Sequence, residues 1–500
     1  MLRLTVIAAL VGCASPQYSA APSSTLSTSS TSSTTSLDST LSQLFALDLA
    51  PGMSVAVVRD TQVIYAKGFG WADVEAQRPV TPETIFYIAS TTKSFTGLAA
   101  VLLDEQGRLD LDAPLSRYLP TAKLQSPLNP DSITLRSLLS HTHGIDNDGP
   151  IVFRTAYTGE HTNDRLLALL AAQPAAKTGR EYVYGNVGYN VAALAMDATL
   201  GESWREVLQR LIFGPLGMTS TSAYISRMPR ERLAQPYRRE PTGFARTHYG
   251  KGDANMQAAG GLVSTAADMA RWLEAHINAG VVDGRRIFSA SAIAETHRRQ
   301  ATVRANARGL AVNGYGFGWQ IGTVGADTVL THGGGFLGFS TSMSFMPQRR
   351  IGVIVMTNEN GTGSALAELA ARAVYSQLIN GQGFTADSLA RIRAEAEGFR
   401  ERVAADRARR AARPQTLPFP LEAYAGTYEN DLYGRLVFSV VNGKLEARAG
   451  AAWSAVEVFD GAQNALRVEL TGSGSVARFT FEGNRAIAVE VSGVRFRRID

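Results

Sequence analysis

The sequence predicts an α+β protein in which an antiparallel sheet, flanked by helices and interrupted by an inserted helical lobe, precedes a small all-β antiparallel barrel. Within residues 37–382, β-type runs occur near both ends and helical patterns lie between them, so both ends would contribute to one sheet. After Pro414, about eight short β-runs recur at about 8 to 12 residue spacing, separated by Gly, Asn or Asp turns. Residues 383–414, between these parts, are helix-forming and rich in arginine.

The composition is that of a folded chain with more than one core. Apolar residues make up 45% of the 500 positions and charged residues 19%. This length exceeds one ordinary core. We therefore predict two domains, residues 37–382 and 415–500, joined by a basic, solvated linker helix at 383–414. Contact of this helix with an acidic membrane surface is the alternative role of its arginines.

The N-terminus has the pattern of an export signal. Arg3 precedes a short apolar run, and the segment that ends at Cys13 resembles a bacterial lipobox. We predict a signal at 1–13, lipidation of Cys13 and a flexible Ser/Thr-rich tether at 14–36, because such a tract cannot bury enough apolar surface to offset its ordering entropy. The protein would then be a membrane-anchored periplasmic lipoprotein. The alternative is an ordinary cleaved signal and a soluble periplasmic or secreted protein.

The elements of the first domain follow from hydrophobic periodicity. Residues 37–47 have the pattern of a short helix, and residues 53–58 and 62–67 alternate as two strands joined by a turn. Helical patterns then dominate until strands return at residue 314, and a helix at 364–379 closes the domain.

Charge and ligand content argue against several classes. The net charge of +5 is spread along the chain, without a basic surface run interleaved with aromatic residues, so we expect no nucleic-acid partner. The single cysteine excludes a disulfide framework. His141 and His143 stand two positions apart with no carboxylate at ligand spacing, so we predict a turn-stabilising role for them, no metal and no cofactor.

Ser90 and Lys93 stand three positions apart at the start of an apolar helix. Such positions share one helix face, about 5 to 6 Å apart. A serine attacks only as a positioned base takes its proton, and a lysine can be that base only when uncharged. Uncharging a lysine at neutral pH costs roughly 4 to 5 kcal/mol, of which a helix N-terminus supplies at most about 2 kcal/mol; burial must supply the remainder. The alternative is a helix capped by Ser90, with Lys93 extended to solvent.

Two further motifs carry polar groups suited to chemistry. Tyr184 and Asn186 flank Gly185 just before a helix, where a tyrosine can relay protons and an amide can hold a carbonyl; a packed aromatic turn is the alternative. Residues 332–335 read His-Gly-Gly-Gly within a β-run, and glycines weaken a strand unless something must approach its backbone closely. A bulge or hairpin is the alternative for this stretch.

In this order and spacing, Ser-x-x-Lys, Tyr-x-Asn and His-Gly-Gly resemble the motifs of the penicillin-recognising serine hydrolases. This superfamily includes class C β-lactamases, D-alanyl-D-alanine carboxypeptidases and D-aminopeptidases of the S12 type, and esterases. The resemblance covers about residues 40–380, and LLSHTHGI at 138–145 is similar to the superfamily landmark LLSHTSGL. Residues 415–500 resemble the lipocalin-like C-terminal domain of some of these peptidases.

The resemblance implies a role for each motif residue. Ser90 would be the acylated nucleophile, Lys93 its proton acceptor and Tyr184 the base or proton relay. The implied substrate-binding residues are Asn186, His332, Gly333, Gly334 and Gly335. The N–H groups of Ser90 and Gly335 would form the oxyanion hole. His332 replaces the lysine that begins the third motif in most β-lactamases, and imidazole is mostly neutral at pH 7, so we expect poor recognition of a β-lactam carboxylate.

We therefore predict an exported serine hydrolase that cleaves amide or ester bonds through an acyl-enzyme, with small peptide, amide or ester substrates and a preference for those containing D-amino acids. A β-lactamase, a penicillin-binding sensor that acylates without turnover, and a degenerate binding module are the alternatives. The barrel could cover the active site, restrict substrate length or mediate homo-oligomer contacts.

Overall fold

A computed structural model describes residues 28–146, 149–307 and 310–500. The predicted signal at 1–13, the predicted lipidation site Cys13 and residues 14–27 of the predicted tether lie outside the described residues. The described chain forms a large antiparallel sheet with helices and a second antiparallel sheet that curls into a nearly closed barrel, which confirms the α+β class. No helix within the described ranges is both long enough and apolar enough to span a bilayer.

Helix α1 (Thr28–Phe45) begins earlier than predicted. The tether prediction is wrong for residues 28–36, which are helical. Leu37, Leu41 and Leu44 are buried in a core shared with the main sheet. Because a helix that is nucleated by tertiary packing extends at little cost per residue, the Ser/Thr-rich segment continues it toward the N-terminus.

The first strands are β1 (Gly52–Arg59), β2 (Gln62–Asp73) and β3 (Arg78–Pro79). Strand β1 is an interior strand of the sheet, because it pairs with β2 on one side and with a strand from the far end of the domain on the other. This pairing confirms that both ends of the domain build one sheet.

The segment between β3 and the later strands is mostly helical and forms the predicted lobe. Its short strands and helices are β4 (Phe86–Tyr87), α2 (Thr92–Glu105), α3 (Leu115–Tyr118), α4 (Leu135–Leu139), α5 (Gly149–Val152), α6 (Asn163–Ala171), α7 (Val187–Leu200), α8 (Trp204–Leu208), α9 (Gly214–Leu216), β5 (Tyr237–Arg239), β6 (Phe244–Arg246), β7 (Val263–Ser264), α10 (Ala266–Ile277), β8 (Val281–Val282), β9 (Arg285–Arg286) and α11 (Ala290–His297). Single turns of 3-10 or π type occur at Ala89–Thr91, Phe153–Thr158, Gln209–Phe213, Ile225–Arg227, Arg230–Arg232 and Asp253–Asn255.

Six strands and a helix complete the first domain. They are β10 (Ala301–Ala307), β11 (Leu310–Tyr315), β12 (Gln320–Val324), β13 (Asp327–Phe336), β14 (Phe339–Met346), β15 (Ile351–Thr357) and α12 (Thr362–Asn380). The sheet order is β10-β11-β12-β13-β14-β15-β1-β2-β3.

Both faces of the sheet are covered by helices. Val55 and Val57 of β1 point into the core beneath α1 and α12, whereas Ala56 and Val58 point into the core that contains α2 and α10. This alternation is the period of two expected of a strand. The candidate catalytic residues lie beside the core that contains α2 and α10.

The predicted linker is helix α13 (Ala386–Ala411). It is mostly exposed, as expected of a solvated linker, but its buried residues Ile392 and Ala396 pack into the core beneath α12. Near its C-terminal end, Arg410 pairs with Glu457 of the barrel. The helix therefore contacts both parts of the chain.

The C-terminal part contains α14 (Leu421–Tyr424) and nine strands: β16 (Gly426–Asn430), β17 (Gly434–Val441), β18 (Lys444–Ala449), β19 (Ala452–Ala455), β20 (Glu457–Asp460), β21 (Ala465–Val468), β22 (Ser475–Glu482), β23 (Arg485–Val491) and β24 (Val494–Arg498). Their order is β19-β18-β17-β16-β24-β23-β22-β21-β20. The sequence predicted about eight strands, and residues 453–460 read as one of these β-runs. In the structure this run is divided at Val456, because its first half pairs with β18 and its second with β21. This division explains the ninth strand.

Candidate active site

Ser90 lies in the 3-10 turn Ala89–Thr91, which leads directly into α2. The preceding residue, Ala89, has a φ of +46°, a value that costs energy for any residue with a side chain. Strained backbone of this kind is often retained where it aims a reactive group. The hydroxyl of Thr91 donates to the Ile88 carbonyl at 2.8 Å and holds the turn. The sequence pattern predicted a helix start here, and the structure adds the strained turn.

The side chain of Lys93 is fully buried, with 0% exposure. Its Nζ lies 3.3 Å from Ser90 Oγ, 2.8 Å from Asn186 Oδ1 and 2.8 Å from the Ala259 carbonyl oxygen. Lys93 forms no ion pair within the described residues. The alternative in which Lys93 extends to solvent is therefore wrong, since the amine is enclosed between the serine, the second motif and the segment before β7.

The contacts of Lys93 hold its amine beside the serine. The Asn186 amide oxygen and the Ala259 carbonyl oxygen are acceptors only, so each takes an N–H of the amine. The third contact of the amine is with the Ser90 hydroxyl, at a distance close to that required of a proton acceptor.

Tyr184 precedes α7 and lies at the mouth of this site. Its side chain is 38% exposed, and its ring centroid is 4.9 Å from Lys93 Nζ. Asn186, two residues later, occupies the N-cap position of α7. The ring of His332 lies 5.9 Å from that of Tyr184. The structure thus brings residues from all three sequence motifs together.

His141 contacts the Tyr-x-Asn turn and stabilises it. Its ring lies 4.8 Å from that of Tyr184 and 4.8 Å from that of Tyr315. The Gly185 N–H donates to His141 Nδ1 at 3.4 Å, so the other ring nitrogen carries the hydrogen. Burial lowers the pKa of His141 well below its usual value, which keeps the ring neutral. The predicted turn-stabilising role agrees with this geometry for His141.

His332 is also buried, with 2% exposure. Its Nδ1 donates to the Gly333 carbonyl oxygen at 2.8 Å, and its Nε2 lies 3.2 Å from the Tyr315 hydroxyl. Both ring nitrogens are therefore engaged by the protein. This arrangement differs from a free cation that projects into a site to attract a carboxylate.

Gly334 allows strand β13 to approach the serine turn. A Cβ at this position would lie 2.2 Å from the Ile88 carbonyl oxygen and 3.3 Å from the Ser90 nitrogen, so no side chain fits. A Cβ at Gly335 would meet no atom within 4 Å, which leaves room beside the turn. Gly333 borders a cavity with Ser342 on the α12 face, away from Ser90. The serine turn therefore approaches the backbone of Gly334 closely, whereas the substrate-binding roles of Gly333, Gly334 and Gly335 stay predictions.

Lys251 is a functional candidate that the sequence patterns did not indicate. Its Nζ donates to the Ala156 carbonyl at 2.6 Å and lies 3.5 Å from the ring centroid of Phe336, the residue after Gly335. Burial lowers the pKa of this amine well below its usual value. It lies in a polar, glycine-containing stretch without periodicity, where only tertiary contacts could reveal its position.

Comparison with known proteins gives the family. A family model described as Beta-lactamase matches residues 38–377. The chain is 26% identical over 314 residues to Protein flp of Staphylococcus aureus (strain N315), an alignment that covers 62% of this chain and 60% of that protein. The chain thus spans less than two thirds of the length of this relative.

Two solved structures share the fold. The octameric penicillin-binding protein homologue from Pyrococcus abyssi has a TM-score of 0.58 at 23% identity, covering 92% of this chain and 98% of that one. The D-amino acid amidase from Ochrobactrum anthropi SV3 has a TM-score of 0.60 at 22% identity, covering 70% of this chain and 99% of that one. The first likeness extends over most of the chain, whereas the second covers a smaller share of it.

Proposed function

The chain belongs to the β-lactamase family, whose members are hydrolases, and we propose that it is an exported serine hydrolase that cleaves amide or ester bonds through an acyl-enzyme on Ser90. The observation that carries this proposal is the 3.3 Å distance between Lys93 Nζ and Ser90 Oγ, with the amine held in place by hydrogen bonds to Asn186 and Ala259.

The proposed reaction has two halves. The Ser90 hydroxyl gives its proton to Lys93 as Oγ attacks the substrate carbonyl carbon. The oxyanion that forms is stabilised by the backbone N–H groups of Ser90 and Gly335. The bond from the carbonyl carbon to the leaving group then breaks, as the proton passes from Lys93 through the Tyr184 hydroxyl to the departing amine or alcohol. In the second half, water attacks the acyl carbon and its proton passes through the same two groups to Ser90 Oγ. The bond from Oγ to the acyl carbon breaks, which releases the carboxylic acid and regenerates the serine.

Small peptides, amides or esters with D-amino acids are the favoured substrates, and the fold of a D-amino acid amidase supports this choice. The engaged ring of His332 argues against tight binding of a β-lactam carboxylate, so we expect poor β-lactamase activity. Assembly through the barrel is part of the proposal, supported by the octameric penicillin-binding homologue. Export and lipidation at Cys13 rest on the N-terminal pattern alone.

The test is mass spectrometry of the intact protein with D-amino-acid amides, p-nitrophenyl esters and a penicillin, alongside turnover assays. We expect an adduct on the parent protein, its absence in Ser90→Ala, and turnover of an amide or ester. Ser94→Ala is the matched control, because this serine lies on the same helix and its hydroxyl donates to Thr91 at 2.9 Å. A stable penicillin adduct without turnover of any substrate would instead identify a sensor. Efficient cephalosporin hydrolysis would identify a β-lactamase.

A further inference from the structure

A cavity of about 330 Å³ lies where the first domain, helix α13 and the barrel meet. We call it the junction cavity. Leu337 and Gly338, which form the turn between β13 and β14, contribute to its wall, as do Asp406 of α13 and Gly472 of the barrel. The cavity is therefore separate from the serine site, but it touches the hairpin whose first strand borders that site.

Arginine is the commonest residue in the wall of the junction cavity. Two acidic residues, Asp406 and Glu469, stand against six arginines: Arg238, Arg239, Arg402, Arg407, Arg410 and Arg467. Three further carboxylates pair with these arginines: Asp48, Glu240 and Glu457. Six arginines thus face five carboxylates, which leaves an excess of one positive charge. The arginine donors that remain without a partner among the described residues therefore indicate a ligand, rather than the net charge.

Arg239 has donors that nothing in the described structure uses. Its side chain is 2% exposed, and one terminal nitrogen pairs with Asp48 at 2.9 Å. Its Nε and its other terminal nitrogen are buried without a hydrogen-bond partner among the described residues. The ring centroid of Phe244 lies 3.9 Å from the guanidinium carbon and covers one face of the group.

Thr247 repeats this observation on the same wall. Its hydroxyl oxygen is buried and has no hydrogen-bond partner in the described part of the chain. Buried polar groups are nearly always hydrogen-bonded, so two such side chains on one cavity point to a missing ligand. At the rim, the exposed Arg402 forms no ion pair within the described ranges and can close on a bound group.

We propose that the junction cavity binds a small molecule through an oxyanion group, a phosphate or a carboxylate. Arg239 would donate from Nε and its unpartnered terminal nitrogen, the paired geometry that guanidinium groups use for such anions. The Thr247 hydroxyl would donate beside them. The volume suits a small molecule. This site does not depend on the hydrolase proposal, because it shares no residue with the serine site.

The test is isothermal titration calorimetry of the full chain with inorganic phosphate and, separately, with citrate, at constant ionic strength set by chloride. We expect saturable binding of at least one anion to the parent protein and to Ser90→Ala. The tighter of the two anions identifies phosphate or carboxylate as the recognised group. Arg239→Gln and Thr247→Val should bind about tenfold more weakly or worse, as expected when a hydrogen bond to a charged group is lost.

Arg435→Gln is the matched control, since this barrel arginine is exposed, pairs with Glu429 and lies off the cavity wall; its affinity should equal that of the parent. If circular dichroism shows that Arg239→Gln is unfolded, Thr247→Val and the rim variant Arg402→Gln decide. The proposal is overturned if neither anion binds the parent saturably, or if the folded cavity variants bind as tightly as the parent.

Discussion

At the scale of a single residue, the proposed chemistry depends on the environment of the Lys93 amine. The amine is fully buried and has two neutral acceptors and one hydroxyl around it rather than a carboxylate. The two acceptors hold the amine beside Ser90 Oγ.

We predict that Lys93→Met will acylate at least about a hundredfold more slowly than the parent, because a positioned base contributes this much or more. Methionine has a similar length and tolerates the apolar surroundings. The measurement is the rate of adduct formation, followed by intact-protein mass spectrometry of samples quenched at successive times. Lys67→Met is the control, since Lys67 lies on β2 and pairs with Asp38 in solvent. Equal rates for parent and Lys93→Met would exclude the amine as the base.

A second prediction concerns the glycine that touches the serine turn. Gly334→Ala should lose about 1 to 3 kcal/mol of unfolding free energy, because its methyl group would overlap the Ile88 carbonyl and force the strand outward. Gly335→Ala, one position along, should unfold like the parent, because its methyl group would enter open space. Urea denaturation measures both. A similar loss in the two variants would contradict this account of the close approach.

At the scale of residues, the sequence predicted contacts between side chains where the residues stand close together in the chain. The three-residue spacing of Ser90 and Lys93 indicated their contact, because a helical turn places such residues on one face. Lys251 and the Ala259 carbonyl carry no comparable pattern. Their approach to Phe336 and Lys93 depends on how a loop from the lobe folds back onto the sheet.

At the scale of elements, the last turns of α7 carry a partly buried carboxylate that contacts the start of α8. Asp197 accepts from the Trp204 N–H at 2.6 Å at the start of α8. Burial raises the pKa of Asp197 to about 6, although the Trp204 hydrogen bond opposes the shift. The folded state therefore holds the proton more tightly than the unfolded state does.

This shift makes stability pH-dependent with a defined sign. The contribution of protonated Asp197 is fully present below about pH 4 and is lost as pH rises to about 6, a loss of up to about 3 kcal/mol. Asp197→Asn lacks this titration, so its unfolding free energy relative to the parent should increase between pH 4.5 and about 6.5. Chemical denaturation across this range measures the difference.

Asp112→Asn is the control for this pH series. The hydrogen bond from Arg136 lowers the pKa of Asp112 below its usual value. The stability change caused by titration of Asp112 therefore occurs below about pH 4. Its stability relative to the parent should stay constant over the same range. A constant difference for Asp197→Asn as well would show that Asp197 does not titrate in the folded protein near pH 6.

The ends of helices and strands were predicted less well from local patterns than the elements themselves. The periodicity at 37–47 indicated a helix, but its start at Thr28 was missed, since Ser and Thr carry weak helix preference and only packing of the leucines extends the helix. The run at 453–460 has an unbroken β pattern. Its division at Val456 depends on which neighbouring strand each half pairs with.

At the scale of the whole molecule, the barrel is attached to the lobe beside the serine site. Arg154 in the π turn Phe153–Thr158 is buried and donates from Nε to the Leu432 carbonyl at 3.0 Å. The Ala451 N–H donates to the Thr158 carbonyl at 2.9 Å. The ring of Tyr157 from the same turn lies 5.4 Å from that of Phe336. One turn thus contacts both the barrel and the strand that borders the site.

We predict that Arg154→Ala will weaken this docking by about 1 to 3 kcal/mol, because it leaves the Leu432 carbonyl without its charged donor. Differential scanning calorimetry should show that the barrel unfolds at a lower temperature than in the parent. In limited proteolysis, the protease should cleave within residues 411–425 faster than in the parent. Arg435→Ala, on an exposed barrel face, is the comparison. An unchanged transition in Arg154→Ala would mean that the Arg154 hydrogen bond to Leu432 does not contribute to docking of the barrel.

The sequence by itself determined the α+β class, the two-part organisation and the identity of the motif residues, because strand and helix periods and short spacings are local properties of the chain. Only the tertiary structure decided the burial of Lys93, the engagement of His332, the position of Lys251 and the arginine-rich cavity at the junction. These depend on contacts between residues tens to hundreds of positions apart, such as Lys93 with Ala259 and Arg410 with Glu457. Dielectric environment and free hydrogen-bonding capacity arise only when such distant segments pack together.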